Sequence, residues 1–375
     1  SGLFSLSGSA GRLGGGKKDL SMLFVYVGAS RYLKPDGLLS FVITQTLFKS
    51  EGAGDGFRRF RVGDGILIDV VRVHDMAEIT PFPGVGNRTA VFTCGRSDTE
   101  QTAYPVEYIL WEKHSGRTID ENATLAAVME QTERHVLAAS PINADRPTSP
   151  WLTGKPAAID AMRKAIGPSA YQAHAGFYSG GLNGVYWLEI IRALPTGEIL
   201  VRNLADIGRK EVEQVERAIE PDLVYPLLRG RDIQRWNAQP SCYALVPQDP
   251  DSRVGWPVRL MQKRWPRTYS YLHTFEQGLR RRALYSKYHA DAAPFYSVFN
   301  VGDYTFAPWK LVWRDMGGGM VAAAVGSVSD NHLGACVVVP EHHVMMVACP
   351  DQDEALYLSA VLNSAVADLV VRSYA

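Results

Sequence analysis

Between Tyr225 and Arg314 the chain carries fourteen lysines and arginines against six aspartates and glutamates, an excess of eight positive charges. Tyrosine, tryptophan and phenylalanine are interleaved through the same window. Basic side chains answer phosphates and planar rings answer bases, so the combination suits a DNA-reading surface. For Arg280-Arg281-Arg282 taken alone, a solvated helix face serves equally well. A second candidate is the stretch TPFPGVGNRTAVF, residues 80–92. Its prolines stiffen a loop, its glycines let a planar ligand approach the backbone, and Phe82 offers a ring on which an extruded base can stack. The competing reading has Phe82 plugging the core at a strand end, and spacing alone favours it.

Other motifs point away from chemistry. Residues 11–18, GRLGGGKK, approach the phosphate-cradling GxxxxGK[ST] loop, but no strand precedes them and Lys18 stands where a hydroxyl should hold magnesium. A loop leading into a helix is expected there. His273, His289 and the pair His342-His343 have no carboxylate or cysteine at metal-ligand spacing, so no metal centre is expected. Cys94, Cys242, Cys336 and Cys349 form no CxxC pair and read as free thiols in a reducing cytoplasm. Neither a GxSxG elbow nor an HExxH helix occurs, which leaves hydrolase readings without support.

The elements that would position these residues follow from periodicity. Apolar residues at helical spacing predict a helix over 20–33, and Lys34-Pro35-Asp36-Gly37 is turn chemistry. LLSFVIT (38–44) is a near-continuous apolar run, the pattern of a strand covered on both faces. Residues 66–73, 88–94 and 106–112 read as further strands, and 123–139 as a helix. Residues 142–156, with three prolines, mark a domain boundary. Beyond it come a short helix near 209–219, a long helix over 256–285, strands near 319–325, 335–340 and 344–349, and a final amphipathic helix.

The 375 residues suffice for two domains, and a hydrophobic fraction of 46% supports real cores. Thirty-nine basic and thirty-nine acidic residues leave no net charge, so any nucleic-acid surface must be local. No apolar run reaches the roughly 20 residues a membrane span needs, and no membrane partner is expected.

In this order, DLSMLF…YLKPDGLLSFVIT…PFPGVGNRTAVF resembles the later motifs of adenine-N6 DNA methyltransferases, in particular the type IIG restriction–modification and phage-defence methylases. GGLNGVYW, YPLLRGRDIQRW, PFYSVFNVGDYTFAPWKLVW and YLSAVLNS resemble the target-recognition region of that family. The resemblance runs through nearly the whole chain. It implies an α/β fold: a partial Rossmann-like methyltransferase sheet over residues 1–141, then an α+β target-recognition domain over 142–375. It implies an enzyme that flips adenine out of duplex DNA and methylates it from S-adenosylmethionine.

Carried over by position, the resemblance puts Asp19, Phe24, Thr44 and Gln45 on the lining of the catalytic pocket and Phe82 on the flipped base. Asn183, Arg229 and Arg231 fall in recognition motifs. With Arg235, Lys263, Arg264, Arg280 and Arg281 they are the candidate DNA contacts. The chain also departs from the family. It has no FxGxG cofactor loop, no acidic residue to hold the ribose, and no [DNS]-Pro-Pro-[YFW] tetrapeptide. The chain alone is therefore expected to be inactive and to form part of a larger enzyme. The alternative is a non-catalytic DNA-specificity module working with a partner methylase or other defence-system subunits.

Overall fold

The structure is a computed structural model, describing residues 20–374 apart from 52, 63, 64, 83, 85, 98–100, 115, 117, 209, 290, 291 and 316. The glycine loop at 11–18 and Asp19 lie outside the described residues. The chain folds as two compact units. One runs through Gly167 and takes in the segment from Leu369 onward; the other is Pro168–Asp368. The boundary expected at 142–156 moves, because Trp151–Gly154 pairs with Thr132–Pro141 as a strand of the first unit. Pro147 and Pro150 lie in the turn between these strands, and Pro156 opens the helix Pro156–Ala165.

In the first unit, α1 (Leu20–Arg31) buries Met22, Val25, Tyr26 and Ala29 on one face, and the Tyr26 hydroxyl donates to the Phe57 carbonyl at 2.6 Å. The predicted turn reverses the chain, with Asp36 at φ +61° and Gly37 N donating to Lys34 O at 3.0 Å. Strand β1 (Leu38–Thr44) runs back along the helix, and Gly28 sits where a side chain would press on Leu39.

β2 (Arg61–Val62), β3 (Ile66–Asp75), β4 (Thr89–Ser97), β5 (Val106–Lys113), β6 (Thr132–Pro141) and β7 (Trp151–Gly154) complete a seven-stranded sheet in the order β1-β4-β3-β5-β6-β7, with β2 beside β3. β4 is antiparallel to both β1 and β3, so β1 and β3 point the same way. β3 and β5 are parallel, and the remaining pairs are antiparallel. Phe48, Phe57, Phe60, Phe92 and Trp151 form the aromatic centre of this unit, with Phe48 stacked on Trp151 at 4.8 Å.

Two expectations fail here. β1 is not covered on both faces: Leu38 is 68% and Val42 51% exposed, while Leu39, Phe41 and Ile43 face the packed side. β1 is also an edge strand, since its outer edge pairs with no strand among the described residues. The helix expected over 123–139 stops early. It spans Leu125–Gln131, and from Thr132 each residue pairs across to β5. Cross-strand pairing overrides a helical pattern that the sequence carries only weakly.

The second unit holds a six-stranded sheet in the order Glu216–Ile219, Ile199–Asn203, Trp187–Ala193, Cys242–Leu245, Val224–Leu228, Val339–Pro340. A four-stranded sheet runs Ala322–Val325, Trp309–Arg314, Val344–Cys349, His174–Ala175. Glu216–Ile219 is thus an edge strand where a short helix was expected. The long helix expected over 256–285 is broken into Val258–Arg264, Pro266–Thr274, Glu276–Arg280 and Ala283–Tyr288. Pro266 has no N–H to continue the first of these and instead opens the second.

The C-terminal helix is likewise two, Gln352–Leu362 and Ala365–Tyr374, bent by 58°. Asp351 caps the first by accepting from Glu354 N at 2.9 Å. Among the described residues no single helix is long and apolar enough to cross a membrane, although this bent pair passes by length and composition.

Candidate functional site

Because β1 and β3 point the same way, their carboxyl ends lie together, flanking the start of β4. Gln45 leaves β1 there, Asp75 ends β3, and Thr44 stands opposite Thr89 at the start of β4. Gln45 N donates to Arg88 O at 2.9 Å, which ties the end of β1 to the loop carrying Phe82. Asp75 is buried and takes three donors: Gln45 Nε2 at 3.2 Å, Tyr108 Oη at 2.5 Å and Ala77 N at 2.9 Å. The Gln45 Oε1 has no hydrogen-bond partner.

Burial pushes the Tyr108 hydroxyl well above the ordinary phenol value, and Asp75 adds to this. Lys49 lies 5.4 Å from the Tyr108 ring centre, its Nζ donating to Thr153 Oγ1 at 2.7 Å and to Ser373 O at 2.5 Å. Burial lowers its ammonium to about 8, against an opposing pull from Asp75.

Phe82 is 47% exposed in the loop between β3 and β4, so it does not plug the core. Its ring is open to stacking. Phe24 is exposed on α1. Thr44 and Gln45 thus lie at one end of the sheet, where the loop that carries Phe82 returns to β4. Asp75 and Tyr108 join them; the sequence reading missed both, because their polarity is hidden inside apolar strands. A cavity of about 380 Å³ in this unit is lined by Tyr104, Pro105, Ser140, Ile159 and Arg163. Tyr104 and Pro105 lead into β5, Ser140 is near the end of β6, and Ile159 and Arg163 lie on the helix Pro156–Ala165; the start of β5 and the end of β6 are at the opposite end of the sheet from Asp75, so the cavity is separate from the cluster.

In the second unit the basic residues divide. Arg282 is fully buried and donates to the carbonyls of Leu279, Ser179, Phe295 and Ser297 at 2.6–2.9 Å. Lys310 is buried and donates to Ala307 O, and burial lowers its ammonium to about 7. Arg314 is half-buried and donates to Ile233 O.

Arg229 corrects an expectation. Only 7% exposed, it is paired with Asp232 at 3.4 Å, bonded to Ser241 and set over the Trp187 ring. Its guanidinium holds a turn together and does not face a groove. Asn183 is half-buried, its Oδ1 accepting from Ser179 Oγ at 2.6 Å, which also reads as structural. Arg231, Arg235, Lys263, Arg264, Arg280 and Arg281 remain exposed. Arg264 stacks over Trp265 at 4.9 Å beside a cavity of about 340 Å³ that Tyr225, Trp256 and Phe306 help to line. Arg280 is engaged by Glu276 at 2.6 Å.

No family model matches the chain. Over 151 residues it is 28% identical to the Type II methyltransferase M.NspV of Nostoc sp. (strain ATCC 29411 / PCC 7524). Over that stretch the chain is similar to a type II methyltransferase. The match covers 40% of the chain and 29% of the length of that methyltransferase. Among solved structures, the type IIL restriction-modification enzyme MmeI in complex with DNA aligns with TM-score 0.43 and 9% identity, over 88% of this chain and 35% of that one. The type IIG restriction endonuclease BpuSI aligns with TM-score 0.26 and 12% identity, over 96% and 40%. Neither alignment is close enough to carry a functional argument.

Proposed function

We propose that this chain is the later portion of a site-specific DNA adenine-N6 methyltransferase of a restriction–modification or phage-defence system, acting in the cytoplasm on double-stranded DNA. The first unit is the trailing half of a Rossmann-like catalytic domain, and the second is the target-recognition domain. The observation that carries this reading is the meeting of Gln45, Thr44 and the Phe82 loop at the carboxyl ends of β1 and β3, in a chain related to a type II methyltransferase. An exposed phenylalanine beside a buried amide acceptor suits a base taken out of the stack. In the whole enzyme Phe82 stacks on the flipped adenine. Arg231, Arg235, Lys263, Arg264 and Arg281 supply the phosphate and groove contacts.

S-adenosylmethionine would supply the methyl group. The described residues do not form a cradle for it. β1 is followed by Gln45 and a short helix without glycine, and the carboxylate at these strand ends, Asp75, is buried and already engaged by three donors. That misfit also favours a second reading, a DNA-specificity module working with a separate methylase subunit.

The test has two measurements. Calorimetry of S-adenosylmethionine should show no binding to the 375-residue chain and binding to a version extended at its amino terminus. Fluorescence anisotropy should show duplex binding that weakens steeply with salt. Tight cofactor binding by the short chain overturns the account of the first unit. Absence of any DNA binding at low salt overturns the account of the second.

A further inference from the structure

Glu341, His342 and His343 occupy a turn between the strands Val339–Pro340 and Val344–Cys349. The backbone of this turn is pinned on several sides. Glu341 N donates to Leu228 O at 2.9 Å, Val344 N donates to Glu341 O at 2.8 Å, and Asp315 N donates to His343 O at 2.9 Å. Phe177 bridges to Glu341, and Gly176 packs so closely that a side chain there would strike the carbonyls of Pro340 and Glu341. The Glu341 carboxylate is only 3% exposed. Its Oε1 accepts from Gly230 N at 3.4 Å, while its Oε2 lacks a well-formed hydrogen bond and points at His342 Nδ1, 2.8 Å away. The rings of His342 and His343 lie 3.9 Å apart, and Tyr178 backs His342 at 4.4 Å. One donor atom from each of the three residues falls within 4.8 Å of the others.

We propose that Glu341, His342 and His343 bind one divalent first-row transition metal, with zinc the ion whose ligand preference they match. Two imidazoles and a carboxylate are a common nitrogen–oxygen donor set for zinc, leaving further positions to water. Donors bound at about 2.0–2.1 Å to a shared ion stand no more than about 4 Å apart. A small rotation of the exposed His343 ring closes the set, while Glu341 and the backbone are already fixed. Without an ion, the charge of this buried carboxylate is answered by the His342 ring, 2.8 Å from Oε2, and by backbone N–H groups. Because Glu341 also accepts from Gly230, the ion would brace the turn that carries Arg229, Arg231 and Asp232. Sequence spacing alone hid the site, because the carboxylate partner is the residue immediately before the two histidines.

The experiment is titration of the metal-stripped full chain with Zn²⁺ by calorimetry and with Co²⁺ by visible absorption. The expected result is one equivalent bound, with cobalt d–d bands showing nitrogen and oxygen ligation. His343→Ala removes an exposed side chain and should fold normally. It should lose at least about tenfold in affinity, the loss reached even by removing outer-shell partners. Glu341→Gln should do the same, and His273→Ala, outside the cluster, should bind as the parent does. No saturable uptake, or unchanged affinity in His343→Ala, overturns the assignment.

Discussion

The Tyr108 hydroxyl donates to the Asp75 carboxylate at 2.5 Å across the two parallel strands β3 and β5, with both side chains buried. A hydrogen bond to a buried charge is worth about 1.5–3 kcal/mol. Tyr108→Phe keeps the ring and removes only that donor. Urea unfolding should show the first unit destabilised by about that amount, with Gln45→Leu adding less than the sum of the two single losses because both donors share one oxygen. A Tyr108→Phe protein that unfolds at the parental midpoint would show that Asp75 does not depend on this donor.

Lys310 supplies a pH dependence of definite sign. The unfolded chain keeps this lysine protonated up to its ordinary pKa of 10.5, whereas burial brings it to about 7 in the folded protein. Between these values the unfolded state binds more protons, so stability rises with pH through that window. Each tenfold difference in proton affinity between the two states is worth about 1.4 kcal/mol. Lys310→Met should therefore raise stability most near pH 6, by about 1 kcal/mol or more. It should also flatten the slope between pH 7 and 10. An unchanged slope in urea unfolding across that range shows that the side chain reaches water.

Arg229 and Arg231 separate structure from DNA contact. Arg229→Met breaks the pairing with Asp232 and Ser241 inside the second unit and should lower thermal stability by about 3 kcal/mol or more. Arg231→Ala, on an exposed side chain, should leave stability within about 0.5 kcal/mol. It should weaken duplex binding and reduce the salt slope by about one. Equal DNA affinity for the parent and Arg231→Ala places the interface elsewhere on this unit.

The exposed apolar positions of β1 predict association. A long, unpaired, apolar edge is a template for another strand. Sedimentation velocity should show concentration-dependent self-association of the chain, relieved by Leu38→Lys with Val42→Lys. If the parent sediments as a monomer at high concentration, the edge is protected by something other than those two side chains.

The α1–turn–β1 unit was legible because three signals agree: helical spacing in 20–33, turn residues at 34–37 and an apolar run from Leu38. Asp36 in the left-handed region is a conformation such a turn tolerates. The helix expected over 123–139 failed where β5 recruited Thr132–Ala139 as a partner strand, a choice made by residues 19 to 33 positions away in sequence. Candidate sites show the same limit. Phe82 was readable as an aromatic in a stiff loop, but its exposure was not. The inward turn of Arg229 depends on Ser241 and Asp232 converging, and charge counting cannot see that. Asp75 and Tyr108 were invisible because alternation hides a polar residue inside a strand until its neighbours across the sheet are known.

Lys49 reaches Ser373 across 324 positions of chain. The first unit thus draws on residues from both extremities of the described polypeptide, whereas Pro168–Asp368 is one uninterrupted stretch. Loss of Ser373 would therefore remove a carbonyl that receives the buried Lys49 ammonium and leave it to Thr153 Oγ1.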